Sequence, residues 1–423
     1  MSIREDLLSV DQAESEDFID LLTLQRGVDD DKDQLEQLLT VSDSLEALIK
    51  HIDSVSTMTP EHAESIRISC ENLLHGTGYG YSALVPALED YTSGTVSTES
   101  LKDRLSSVWK RIVSIILSIL EGMKRYWSKV SSYQGRLMIN AKNLQKLGAI
   151  KRGSSIRNRD VELGLEAKNL IVGGAVIRDP DTLIRAMAAI SDQYKVVCNT
   201  YPKAMVSAGA VYEGLYKRGD DNVRQTLEDF CVASYNLPFG VLATQLRAAS
   251  YRDPRFGPRQ LMMAPPLLGG YSLFINVPDD PIKGLTGNDL ATQAARIRTA
   301  GVRFSLTDLM ANNINGASIA TASGAQVEQL AGKVIDLLNL ITTQESGRQI
   351  GRINNQIKAV LSAAEGYKAR PHVGGEGTAV YSESILRFAR SYSTWAVGPI
   401  DSMTTNMLSV SRAILIYGRK SLR

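Results

Sequence analysis

Apolar side chains recur at Leu101, Leu105, Val108, Ile112, Ile115, Ile119, Met123, Tyr126, Val130, Tyr133 and Leu137, with gaps of 4, 3, 4, 3, 4, 4, 3, 4, 3 and 4. This is a heptad-like rhythm with one four-residue stutter between Ile119 and Met123, and no proline interrupts it. The spacing predicts one long helix or a kinked pair through residue 147, about 70 Å long at 1.5 Å per residue. A stripe of that length is not stable in water on its own. It requires other elements to cover it, as a core or coiled-coil seam; a membrane-surface face is the competing reading.

The stripe is bordered by Lys102, Arg104, Lys110, Arg111, Lys124, Arg125, Lys129, Arg136, Lys142 and Lys146, with Lys151 and Arg152 just beyond. Residues 101–160 contain 14 basic and 3 acidic side chains. The chain as a whole carries only +1, which conceals a division: residues 1–100 hold 21 acidic against 5 basic groups, a formal −16, and residues 101–423 hold 25 against 42, or +17. An acidic segment of this kind can neutralise the basic helix internally, and its removal would expose a surface able to bind phosphates by counterion release. The bland alternative is that both sets of charges are solvated helix faces.

The rest of the sequence divides around these two features. Residues 1–99 read as an acidic helical lead, with a stripe at Leu35, Leu38, Leu39, Leu45, Leu48 and Ile52, a helix start at Thr59-Pro60, a break at Gly76–Gly80 and a small polar linker from Thr92 to Glu99. Residues 100–160 are the long basic amphipathic helix. Residues 161–290 are mixed: a hairpin around Gly173-Gly174, helices over 182–197, 204–217 and 222–235, and strands at Gln260–Met263 and Tyr271–Val277. Residues 291–423 read as a helical C-terminal region with breaks near Gly316 and over 369–377. The expected fold is α+β and predominantly α-helical.

Catalytic and cofactor chemistry finds little support. Gly76-Thr77-Gly78-Tyr79-Gly80 lacks dinucleotide-loop spacing and follows a helix, and Gly374-Gly375-Glu376-Gly377 has no following Lys-Ser/Thr. Cys70, His75, His51 and His62 show no metal-ligand spacing. Cys198 and Cys231, either of which could pair with His372, sit in apolar helical contexts and read as buried small hydrophobes. Asp220-Asp221 and Asp279-Asp280 adjoin Gly or Pro and read as turns. Three widely separated Cys imply no disulfide framework and a reducing compartment of synthesis. The opening Met1-Ser2-Ile3-Arg4-Glu5-Asp6 lacks a secretory apolar core. The longest apolar run, Ile112–Leu120, falls well short of the roughly 20 residues that span a bilayer. The expectation is no catalytic residue, no metal, no cofactor and no integral membrane segment.

Val108-Trp109-Lys110-Arg111-Ile112 leads through Arg125-Tyr126-Trp127-Ser128-Lys129-Val130 to Gly135-Arg136-Leu137 and Leu147, and is followed by Pro266-Leu267-Leu268-Gly269-Gly270-Tyr271-Ser272-Leu273-Phe274. With an acidic helical lead before and a helical tail after, this order resembles internal head (inner virion structural) proteins of large tailed bacteriophages over about half of the chain. The resemblance implies synthesis in the host cytoplasm, residence inside the capsid beside packaged double-stranded DNA and other virion head proteins, and ejection with the genome. It also implies trimming by a prohead protease that cuts after Glu two residues beyond a small or aliphatic residue. Ser44-Leu45-Glu46, Ala87-Leu88-Glu89 and Ser97-Thr98-Glu99 fit, and a cut after Glu99 would separate −16 from +17. The DNA-contact candidates are then Lys102, Lys110, Arg111, Lys124, Arg125, Lys129, Arg136, Lys142, Lys146, Lys151 and Arg152. Two rival classes are a helical scaffold protein that never meets DNA, a homo-oligomer joined through the 101–147 seam, and an enzyme of early host takeover with a concave site in residues 161–290.

Overall fold

A computed structural model describes residues 3–54, 65, 68–69, 99–154, 160–218, 222–234, 247–248, 261–276, 290–298, 301–306, 318–342, 345–368, 370 and 378–423. The chain forms two compact units, one of Thr23–Arg125 and one of Met1–Leu22 with Tyr126–Arg423. Helix α1 spans Ile3–Ser54 and helix α2 spans Glu99–Ile150, each 52 residues. The stripe thus forms one uninterrupted helix, not a kinked pair. Every member from Val108 to Leu137 is at most 3% exposed, and Ala141 and Leu144 extend the buried face. The side chains of Leu101 and Leu105 lie outside the described residues, as do Thr59-Pro60 and Gly76–Gly80. Glu99, expected in the linker, is the first residue of α2, where a carboxylate suits the positive end of the helix dipole.

In the Thr23–Arg125 unit, α1 buries Val28, Leu35, Leu38, Val41 and Leu45, while Leu39 and Leu48 are half-buried. Val28 approaches Gly122 so closely that a Cβ there would stand 2.9 Å from its Cγ2, and Ser118 donates to the Asp31 carboxylate at 2.7 Å. Rising numbers on α1 meet falling numbers on α2, so the two helices are antiparallel. Each fully buried aliphatic side chain in such a seam contributes roughly 1.5–3 kcal/mol.

The larger unit begins after α2 with strand β1 (Asp160–Glu162), a 3-10 helix (Gly164–Leu170) and the expected hairpin, β2 (Ile171–Val172) against β3 (Ala175–Val176), turned by Gly173-Gly174. Helix α3 (Pro180–Lys195) starts at Asp179, whose carboxylate accepts from the Thr182 amide at 2.8 Å. A π-turn (Val196–Thr200) joins α3 to α4 (Tyr201–Lys217). Pro202 cannot donate to an α-helical ladder and its ring would collide with the carbonyl four residues back; the wider turn absorbs both effects, so two expected helices become one run. Helix α5 (Val223–Ser234) follows.

Strands β4 (Arg247–Ala248), β5 (Leu261–Met263) and β6 (Tyr271–Asn276) precede α6 (Leu290–Arg298), and β7 (Gly301–Leu306) completes an antiparallel sheet ordered β4-β5-β6-β7. Strand β8 (Ser318–Ala320) pairs instead with β1. Both β7 and β8 fall in the region expected to be helical. Val302, Phe304 and Leu306 alternate with Arg303 and Ser305, a period of two that suits a strand, and Phe304 stacks on Tyr271 at 5.3 Å. Helices α7 (Gly324–Thr342), α8 (Glu345–Lys368), α9 (Thr378–Val397) and α10 (Ile400–Ser421) complete the unit.

Helix α10 is the centre of this unit and is buried on nearly every side. Its polar residues Asp401, Thr404, Thr405, Asn406 and Ser411 are buried with the rest. The Tyr126 hydroxyl shares a 2.7 Å hydrogen bond with Thr405 and reaches the Asp401 carbonyl at 3.1 Å. Asn406 donates to the Leu268 carbonyl at 3.1 Å, which locks the Leu267–Gly270 turn onto α10. A second cluster joins α4, α5 and α9: Tyr212, Phe230 and Phe388 have ring centroids 5.1–6.2 Å apart, and the Tyr216 hydroxyl donates to the Ile385 carbonyl at 2.7 Å.

Gly269 adopts φ of 86°, and a Cβ added there would collide with the Asn406 side-chain oxygen. Gly269→Ala is therefore expected to lower stability by about 1–3 kcal/mol in urea denaturation. Gly135→Ala, in α2 with open space around it, is expected to raise stability by about 0.5–1 kcal/mol.

Candidate nucleic-acid interface

The heptad rhythm that buries one face of α2 fixes where its charges go. Lys110, Arg111, Lys124, Arg125, Lys129, Arg136, Lys142 and Lys146 all lie off the apolar stripe and are exposed. Between residues 104 and 159 the only carboxylate is Glu121, also exposed. In the Thr23–Arg125 unit, Lys110-Arg111 and Lys124-Arg125 are separated by 14 residues, close to four helical turns and about 21 Å, so the two pairs share a face. In the larger unit Lys142 and Lys146 are one turn apart. Among the described residues these six cations have no ionic or hydrogen-bonding partner.

The other candidates are engaged. Lys129 pairs with Asp20 at 3.2 Å and Arg136 with Asp17 at 2.5 Å, which brings the lead helix alongside α2 in the larger unit. Arg152 forms a two-pronged pair with Glu328 of α7, its Nε at 2.7 Å and its terminal nitrogen at 2.6 Å from the two carboxylate oxygens. That contact holds the Glu328 carboxyl below its usual range and raises the guanidinium. Lys151 donates to the Leu422 carbonyl. The Lys102 side chain lies outside the described residues. Glu46 is on α1 and Glu99 opens α2, with their side chains outside the described set, and Glu89 lies outside it altogether.

Asp17, Asp20 and Glu328 are the contributors that sequence reasoning did not identify. Each pairs with a residue more than 100 positions away. The available signal was only that Asp17 and Asp20 share a helix face.

The apolar side of α2 is covered by the chain itself. Tyr133 stacks on Phe18 with centroids 5.5 Å apart, Gln134 donates to the Leu338 carbonyl at 3.0 Å, and Leu144 lies against Gly418 of α10. In the larger unit, Ile139, Leu147 and Ile150 on the outer face of the same helix remain exposed at 62%, 48% and 79%.

For catalysis and metals, Cys198 and Cys231 are free and buried, as their apolar contexts suggested. Burial pushes both thiols up to about 12. His372, the remaining candidate metal ligands other than the helical backbone of His51, both acidic turn pairs and both glycine-rich loops lie outside the described residues. Among the described residues no three His, Cys, Asp or Glu side chains converge as a metal site, and no helix is long and apolar enough to cross a membrane. At about pH 8 neither Cys198 nor Cys231 is expected to react with a thiol-specific disulfide reagent in the native protein, and both should react once it is unfolded. Peptide mapping of the labelled chain checks this.

No curated protein and no solved structure matches the chain. The family model described as phiKZ-like phage internal head proteins matches residues 11–420, from the acidic lead helix through to the end of α10. The chain belongs to the phiKZ-like phage internal head proteins.

Proposed function

We propose that this internal head protein is a non-enzymatic structural component that lies against the packaged double-stranded DNA inside the capsid and binds it without sequence preference. The observation that carries this reading is the set of exposed cations Lys110, Arg111, Lys124, Arg125, Lys142 and Lys146, unpaired among the described residues, on a helix whose opposite face is buried. A buried seam fixes which side of α2 meets solvent, and that side offers charge with a single intervening carboxylate. Contact of this kind works by releasing condensed counterions from DNA, which suits a protein surrounded by bulk genome. Lys129 and Arg136, held by Asp20 and Asp17, join the surface only if DNA phosphates displace those carboxylates. Synthesis in the host cytoplasm, contact with other head proteins, trimming by a prohead protease after Glu46, Glu89 or Glu99 and ejection with the genome complete the proposal.

A scaffold role without DNA contact draws support from Ile139, Leu147 and Ile150, since the described seam from Val108 to Leu144 is itself filled by the chain's own residues. A homo-oligomer would then form through that outer apolar face. Light scattering of the full chain separates the readings: a defined oligomer with no DNA affinity supports the scaffold.

Gel shift of the full chain with double-stranded DNA across a salt series tests the electrostatic reading. Affinity should fall steeply with salt, and each Lys or Arg changed to Gln among the six should reduce the log–log slope by about 0.9. Arg152→Gln, which removes a cation already paired with Glu328, should leave the slope nearly unchanged. Binding indifferent to salt would rule the mechanism out. Mass spectrometry of purified virions tests location, and absence from particles would overturn it.

A further inference from the structure

We infer that α1 docks on the rest of the chain strongly enough to survive scission of the segment between Ser54 and Glu99, so that a single cut there yields a two-piece non-covalent protein. This goes beyond the DNA reading and does not depend on it.

In the larger unit, α1 is held at three adjacent positions. Asp17 and Asp20 pair with Arg136 and Lys129. Between them Phe18 stacks on Tyr133, and the Arg412 guanidinium of α10 sits 5.1 Å from the centre of its ring. Arg412 is itself held by an ion pair with Glu166, which accepts from Asn169 at 3.0 Å. The clasp is thus built on the central helix of the unit. Immediately beside it, Leu21 is completely buried. In the other unit, Val28, Leu35, Leu38, Val41 and Leu45 are 1–7% exposed on the side of α1 that meets Gly122 and Ser118 of α2.

All of these anchors lie between residues 17 and 45. Cuts after Glu46, Glu89 or Glu99 therefore fall beyond the whole set and remove none of it. The Lys129–Asp20 pair is exposed and the Arg136–Asp17 pair half-exposed, so both weaken with salt, whereas the apolar seam does not. Scission alone leaves the carboxylates of the lead helix where they were: Lys129 and Arg136 stay occupied, and the six cations that are unpaired among the described residues gain nothing from the cut. Release of the acidic piece needs a second event that pulls Leu21 and the seam behind it out of their contacts.

The experiment replaces Thr92–Thr98 of the full chain with a site-specific protease sequence, completes the cut, and follows both pieces by gel filtration at about 0.15 M and about 1 M salt. Both pieces should elute together, at the mass of the uncut chain, in both buffers. Separation at either salt overturns the inference. Leu21→Asp, which places a charge in the buried seam, should release the piece after cutting, provided the uncut variant keeps its helical circular dichroism. The Asp17→Asn/Phe18→Ala double variant leaves the seam intact and should lower the urea concentration at which the pieces part. If neither variant loosens the cut complex, the hold does not reside in these residues.

Discussion

Burial of one continuous face of α2 is the condition on which the other features rest. A 52-residue helix with its charges on one side and its aliphatic and aromatic groups on the other gains little from backbone hydrogen bonds alone. Its stability comes from what covers Val108 to Leu144. In one unit that cover includes the lead helix at Val28; in the other it includes Phe18, α7 and the central helix α10. Covering this face decides the orientation of everything opposite. The basic residues do not need to be arranged individually toward solvent, because the heptad rhythm places them there once the seam is filled.

Much of this was legible in the sequence. The rhythm from Val108 to Leu137 specified the buried face residue by residue, because helical periodicity is a local property. Gly173-Gly174 between two short apolar runs specified a hairpin for the same reason, and Cys198 and Cys231 read correctly as buried. Pairings between distant segments were not legible. Strand β8 has three residues and joins a partner about 160 positions earlier, so neither carries a recognisable strand pattern alone. The π-turn at Val196–Thr200 is a response to Pro202 within otherwise helical surroundings, and no local pattern distinguishes such a turn from a break between two helices. For the interface, the sequence identified which cations are present but not which are spent. Lys129, Arg136 and Arg152 look the same as Lys124 or Lys142 until Asp20, Asp17 and Glu328 are brought beside them by the fold.

The segregation of charge along the chain therefore has a more limited structural meaning than its size suggests. The lead segment carries a large excess of carboxylates, yet among the described residues those opposing α2 engage two of its cations. The paired set lies beside Phe18, where apolar contacts fix the geometry. Hydrophobic burial positions the two helices, and ion pairing occurs only where that positioning brings opposite charges together.

The central position of α10 also sets an order of events during synthesis. It follows in sequence every element that packs on it, so the aromatic and apolar groups awaiting it, from Tyr126 to the Leu267–Gly270 turn, stay uncovered until translation has passed residue 421. Through that interval α1 and the first half of α2 already have each other. The nascent chain can close its antiparallel helix pair early and shelter the apolar stripe of that pair before the body around α10 exists.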